Sequence, residues 1–148
     1  MNRMSSFTAK AAIVGTMLFG AAASAQEADI AGARVPVENS IKAHVTGDSS
    51  FIRKAFHPDA KIYSYRDGKV QALSVDEFAK LFSGKPAADE AQRVRRIENV
   101  DVTGSAGTAK VFLDYPTVTF TDYMSLLKID GEWKIVNKTF NAVPKTAR

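Results

Sequence analysis

Residues 120–140 read FTDYMSLLKIDGEWKIVNKTF, and the fold follows from how this stretch pairs with itself. Asp130-Gly131 are two residues that tolerate positive φ, flanked by strand formers, which predicts a tight hairpin turn. With that pair at the tip, an unbroken register sets Leu127 against Lys134, Ser125 against Val136, Tyr123 against Lys138 and Thr121 against Phe140 on one face. The other face carries Lys128 with Trp133, Leu126 with Ile135, Met124 with Asn137 and Asp122 with Thr139. A half-solvated strand alternates apolar with polar, but here both faces hold large apolar groups. Each face therefore needs a cover.

The amino end reads differently. Arg3 and Lys10 precede a small apolar run, Ala11 to Ala23, and Ala23-Ser24-Ala25 has the form of a cleavage site. That pattern is a secretory leader, and the run is shorter than the roughly 20 residues a membrane span needs. The expected organisation is a leader over 1–25, a flexible lead-in over 26–34 and one domain over 35–148, placed in the periplasm. No membrane association is expected after cleavage. The chain has no cysteine, so disulfide and thiolate chemistry are excluded. Its net charge of +4 falls to about +2 without Arg3 and Lys10. The dense basic cluster, Arg93, Arg95 and Arg96, is not interleaved with aromatics as a nucleic-acid stacking groove would be, and reads as a solvated strand face.

Between the ends, Pro36 is placed to open a helix with the stripe Val37, Ile41, His44 and Val45, closed at Gly47. Asp48 to Ser50 offer caps for a second short helix, stopped at His57-Pro58. Lys61 to Arg66 and Lys69 to Leu73 form a hairpin about Asp67-Gly68. Ser74 with Glu77 is a capping box for a third helix, whose Phe78, Leu81 and Phe82 point inward. The remainder is sheet: Val94 to Val102, Ala109 to Tyr115 and the long hairpin. Helices early and strands late predict an α+β fold, with three helices on one face of a bent antiparallel sheet.

Gly47-Asp48, Phe56-His57-Pro58-Asp59-Ala60, Leu113-Asp114-Tyr115-Pro116, Phe120-Thr121-Asp122-Tyr123 and Gly131-Glu132-Trp133-Lys134-Ile135-Val136 are spaced as in a known family. Over Val37 to Val143 the chain resembles the nuclear transport factor 2-like superfamily, in particular its putative lumazine-binding branch near the polyketide-cyclase-like (SnoaL-like) group. The resemblance implies a cone, with a curved sheet wrapped around three helices, a pocket on the concave side and frequent pairing through the convex side. It also points to the superfamily's ketosteroid isomerases, which use an aspartate base and an oxyanion hole of tyrosine and protonated aspartic acid. The corresponding positions here are Ser64, Ser40 and Ser125. Free hydroxyls are too weak as bases for that reaction near neutral pH.

The candidate site therefore rests on other residues. His44, on the apolar stripe, would point into the cone and could act as a general base. The pocket is expected to comprise His44, Phe56, Tyr115, Tyr123, Ser125, Lys138 and Phe140, suited to a small, partly apolar ligand. His57 reads as structural. Asp114 and Asp122 are assigned to the opposite face or to strand ends. Met124, Leu126, Trp133 and Ile135 form the convex patch expected to mediate a homodimer. Two histidines on separate helices and no cysteine give no metal-ligating pattern, and no cofactor is expected. Three functions stay open: a binding module, an isomerase, dehydratase or cyclase with His44 as base, and a pocket-free interaction domain.

Overall fold

A computed structural model describes the backbone of residues 14–146 and the side chains of residues 22–146. The leader reading falls largely outside the described residues. From Val14 the chain is helical. Helix α1 (Val14–Thr46) is followed by α2 (Ser50–Ala55), strands β1 (Phe56–Arg66) and β2 (Lys69–Ser74), and α3 (Val75–Ala79). A single 3-10 turn, Glu90–Gln92, leads to β3 (Val94–Thr103), β4 (Ala106–Asp114), β5 (Val118–Ile129) and β6 (Glu132–Pro144). The strands form one six-stranded sheet in the order β2-β1-β6-β5-β4-β3. Every neighbouring pair is antiparallel except β1 with β6. The helices lie on one side of this sheet, as expected for α+β.

Residues 26–34, expected to be a flexible lead-in, instead belong to α1. Alanines at 28, 31 and 33 favour helix, and tertiary contacts hold the segment down. Ala33 is fully buried and Ile30 packs on the core. Gln26 Nε2 donates to the Val102 carbonyl at 2.6 Å, and Asp29 pairs with Lys128 at 2.7 Å. Pro36 does not open the helix but sits inside it. It has no N–H to give the Gly32 carbonyl, a local cost that burial of Val37, Ser40 and Ala43 on the same helix offsets. Val45, placed on the inward stripe by sequence, is exposed.

The third helix begins where the sequence placed it. Ser74 Oγ accepts from the Glu77 N–H at 3.2 Å and Glu77 Oε2 accepts from the Ser74 N–H at 2.8 Å. It is short, however, and ends at Ala79, which leaves Leu81 exposed rather than inward.

The long hairpin forms about Asp130 (φ 51°) and Gly131 (φ 85°), as its turn chemistry requires. Near the tip the pairing is as predicted: Lys128 faces Trp133, Leu127 faces Lys134 and Leu126 faces Ile135. Beyond Ile135 it shifts. Ser125 pairs with Asn137, so Val136 is an extra residue on β6, a β-bulge, and the rest of that strand is displaced by one. A one-residue displacement exchanges the faces of every later side chain. Lys138 and Phe140 consequently share a side with Trp133 and Ile135, and with Asp122, Met124 and Leu126 of β5, not with Tyr123 and Ser125.

That shift corrects the expected interface. Met124, Leu126, Trp133 and Ile135 are all buried within one subunit, facing the helices. The outer side of the ribbon is the wetter one: Tyr123, Ser125, Leu127, Thr139 and Asn141 are exposed there. Among the described residues no helix is long and apolar enough to cross a membrane.

Candidate functional site

The concave side of the sheet is closed at its tip end by α1 and stays open at the other end. There a cavity of about 310 Å³ lies between α3, the end of α1 and strands β5 and β6. Phe78, Phe82, Tyr115, Phe120 and Phe140 give it aromatic walls. These rings meet edge to face: Phe78 with Phe82 at 5.4 Å between centroids, Tyr115 with Phe120 at 5.7 Å, Phe120 with Phe140 at 6.0 Å. Aromatic pairs prefer this geometry, which fixes the walls without filling the space.

Gly47 is the floor of the mouth. It ends α1 with φ 73°, and a Cβ there would lie 2.0 Å from the Lys85 carbonyl oxygen. Its own carbonyl accepts from the Gly84 N–H at 2.9 Å. The loop after α3 can therefore close against the helix end only at a glycine.

Inside this apolar space lies an ion pair. Lys138 Nζ is 2.5 Å from Asp122 Oδ2, and the two side chains are 4% and 2% exposed. They are diagonal neighbours across β5 and β6, since Asp122 faces Phe140 and Met124 faces Lys138. The ammonium also sits over the rings of Phe78 (5.0 Å) and Phe140 (5.5 Å), a cation–π arrangement. A charge this deep is tolerated only when matched. The other carboxylate oxygen, Asp122 Oδ1, is shielded from solvent and has no hydrogen-bond partner. Buried polar atoms are almost always paired, so this exception is informative.

His44 supplies a second such atom. From the last turn of α1 its ring enters the cavity 5.0 Å from the Phe82 ring, and its Nε2 is shielded and without a partner. Burial, and then the nearby charges of Lys138, Arg95 and Arg93, lower its pKa from 6.5 to about 3. At neutral pH the imidazole is uncharged, and Nε2 can accept or donate a single hydrogen bond.

The basic cluster read as a solvated face is largely structural. The Arg95 side chain, 5% exposed, is bidentate to Glu90, at 2.5 and 2.8 Å. It also donates to Tyr115 Oη at 3.1 Å and to the His44 carbonyl at 3.2 Å, satisfying the end of α1. Burial works against its charge, yet the bonds to Glu90 and Tyr115 hold its pKa above the ordinary value. Arg93 stacks on the Tyr115 ring at 4.3 Å while its Nε donates to Asp89 at 2.7 Å. Burial raises the pKa of the Tyr115 hydroxyl despite the nearby arginines. Only Arg96 is exposed as expected, paired with Glu98 at 3.0 Å.

Of the seven residues expected to line a pocket, His44, Tyr115, Lys138 and Phe140 come together here. Phe56 does not line it but is buried behind, 6.0 Å from the Phe78 ring. Tyr123 and Ser125 are on the outer face, in a shallow groove with Thr108, Lys110 and Thr139. The bulge at Val136 turns Lys138 and Phe140 to the inner face, while Tyr123 and Ser125, on the unbulged β5, stay on the outer one. Asp122, Phe120, Phe78 and Phe82 line the cavity although the sequence reading did not place them in it. A signal for Asp122 was present: Phe120, Met124 and Leu126 form a period-two apolar stripe in which Asp122 is the one charge. Among the described residues no group of three or more His, Asp or Glu could hold a metal.

Comparison with known proteins agrees with this architecture. The chain is similar to a solved nuclear transport factor 2-like protein of unknown function from Silicibacter pomeroyi, with a TM-score of 0.69 and 24% identity, covering 79% of this chain and 98% of that one. A second such protein, from Methylobacillus flagellatus, gives a TM-score of 0.67 and 30% identity over 78% of this chain and 92% of that one. Among curated proteins, the aldolase FrzH of Cladobotryum sp. is 29% identical over 105 residues, 71% of this chain and 84% of that one. The family model described as putative lumazine-binding matches residues 28–141. On that match, and on the curved sheet around its helices, the chain belongs to the putative lumazine-binding family of the nuclear transport factor 2-like superfamily.

Proposed function

We propose that the cavity at the open end of the cone binds a small, ring-bearing, partly apolar molecule. The observation that carries this is an aromatic-walled space containing a buried ion pair and two polar atoms, Asp122 Oδ1 and His44 Nε2, with no protein partner. Ligand sites are mostly apolar, with a few placed polar groups, and the unmet atoms are ones a ligand could satisfy. The family's description supports the same reading. A thermal-shift screen of aromatic compounds on the purified protein tests it. The expected outcome is a saturable rise in Tm that Phe120→Arg removes. A screen with no stabilising compound, on a protein whose fold is intact by circular dichroism, overturns it.

A second reading, catalysis of the isomerase, dehydratase, cyclase or aldol type, rests on the unpartnered His44 Nε2 and the Lys138 ammonium lining one cavity. His44 would take a proton from carbon next to a carbonyl, while the Lys138 ammonium stabilises the developing oxyanion. The similarity to a protein named an aldolase supports looking for such chemistry. For a substrate found in the screen, His44→Ala is expected to abolish turnover and keep binding. Unchanged turnover would remove His44 from the reaction.

We also read the chain as exported to the periplasm, with the leader cut after Ala25. Ala22, Ala23 and Ala25 are exposed, whereas the tie from Gln26 to Val102 comes immediately after the cut. Amino-terminal sequencing of the exported protein should begin at Gln26. A homodimer in this reading pairs through the outer face at Tyr123 and Leu127. Tyr123→Glu would then yield monomers in sedimentation.

A further inference from the structure

The charges around the cavity are unevenly distributed. Strand β6 contributes Lys138, β5 contributes Asp122, the residue just before β3 is Arg93, and the loop after α3 contributes Lys85. Asp122 is matched by Lys138, and Arg95, behind Tyr115, is matched by Glu90. Arg93 reaches Asp89, a carboxylate outside the cavity lining. Lys85 makes no ion pair among the described residues. Lys138 and Arg93 are thus each matched by one carboxylate, and Lys85 is the unmatched charge of the lining, around an uncharged imidazole whose Nε2 has no partner.

Resting on the small-molecule reading above, we infer that the ligand is an anion, of the aromatic carboxylate class, and that it enters together with one proton, which settles on His44 Nε2. Five rings match a flat apolar body, and the unmatched Lys85 matches a negative end. A carboxylate in this space accepts from Nε2–H and from Lys138, and it offsets the three cations that now disfavour protonation of the ring. Burial, and then those cations, Lys138, Arg95 and Arg93, hold the free imidazole neutral down to about pH 3. The titratable groups around His44 are Lys138 from β6, Asp122 from β5, Arg93 just before β3, Arg95 from β3, Tyr115 after β4 and Lys85 from the loop. Helix α3 presents Phe78, and the segment after it presents Phe82. Asp122, the carboxylate of the cavity lining, is already engaged by Lys138 through Oδ2, so the counter-charge for a protonated His44 has to come from the ligand.

Titration calorimetry with 2-naphthoate and its neutral amide, 2-naphthamide, tests this between pH 5.5 and 8, where the carboxylate stays ionised. Naphthoate is expected to bind at least tenfold more tightly than the amide. Its Kd should rise about tenfold per pH unit over the part of the range where one proton is taken up. The binding heat should vary with the buffer's ionisation enthalpy, as one transferred proton requires. In His44→Gln the pH slope and the buffer dependence should vanish. The 15N shift of His44 Nε2 should move to the protonated value on saturation, a readout that needs no variant. Equal or tighter binding of the amide overturns the anion, and leaves the small-molecule reading standing. A flat Kd against pH in the wild-type protein overturns the proton. If neither compound binds and the aromatic screen is also blank, both readings fall together.

Discussion

The two ends of the β5–β6 ribbon share strands and a concave face, yet they do opposite work. At the tip end Leu126, Trp133 and Ile135 are buried beneath α1, with Gly32 pressed so close to the indole that a Cβ there would lie 2.9 Å from Trp133 Cδ1. At the open end the same face carries Asp122, Lys138, Phe120 and Phe140 around empty space. Between them is the one-residue bulge at Val136. Apolar groups that close-pack need no other partner. A buried ion pair flanked by unpaired atoms is stable only because the strands and rings around it are already fixed by that packed end. One end supplies stability and the other spends part of it on a site.

The largest effect should come from the tip. Ile135→Glu buries an unpaired carboxylate in the core and is expected to unfold the domain, with loss of about 4 kcal/mol or more. Fluorescence of Trp133, the chain's one tryptophan, would report it as a red shift. A folded Ile135→Glu monomer would instead show that the residue faces outward. Next comes Asp122→Ala, which strands the Lys138 ammonium and should cost about 3–5 kcal/mol in urea unfolding. The double change Asp122→Leu with Lys138→Met should recover most of that loss, because removing both charges is often neutral or stabilising. A double variant as unstable as the single would show that the pair itself holds the ribbon.

An effect smaller per pH unit is tied to acidity. The His44 pKa is lowered from 6.5 to about 3 in the folded protein, so below pH 6.5 the unfolded chain binds a proton that the folded one refuses. Stability associated with His44 is therefore intact above pH 6.5 and declines as pH falls from 6.5 toward 3, by about 1.4 kcal/mol per pH unit. His44→Gln should flatten the urea midpoint across that window by this amount, and an unchanged slope would place the imidazole in water. Smallest of all, at dilutions where the chain is monomeric, Tyr123→Ser on the exposed outer face should shift stability by no more than about 0.5 kcal/mol. A loss of several kcal/mol in the monomer would mean that Tyr123 packs within its own subunit.

Much of the fold was legible because its signals are local. The Asp130-Gly131 turn, the Ser74–Glu77 box and the early-helix, late-strand order each depend on residues a few positions apart. Half of the site was legible for the same reason: His44 and Tyr115 stand where helix periodicity and a strand end put them. Lys138 and Phe140 were assigned to the cavity, but with the wrong companions, Tyr123 and Ser125 instead of Asp122 and Phe120. A period of two makes the face of every distant residue hostage to one inserted residue, and nothing in the local sequence at Val136 announces it.

The sequence by itself determined the hairpin, the capping box, the α+β class and the apolar stripes that need burial. These rest on φ preference, hydrogen bonding between near neighbours and hydrophobic periodicity, which act over a few residues. Only the tertiary structure decided which face Asp122 shares with Lys138, that residues 26–34 are helix, and that Trp133 and Ile135 are core rather than interface. Those outcomes depend on what a segment packs against, here α1 over the tip of the ribbon, and packing energy summed over distant residues outweighs local preference.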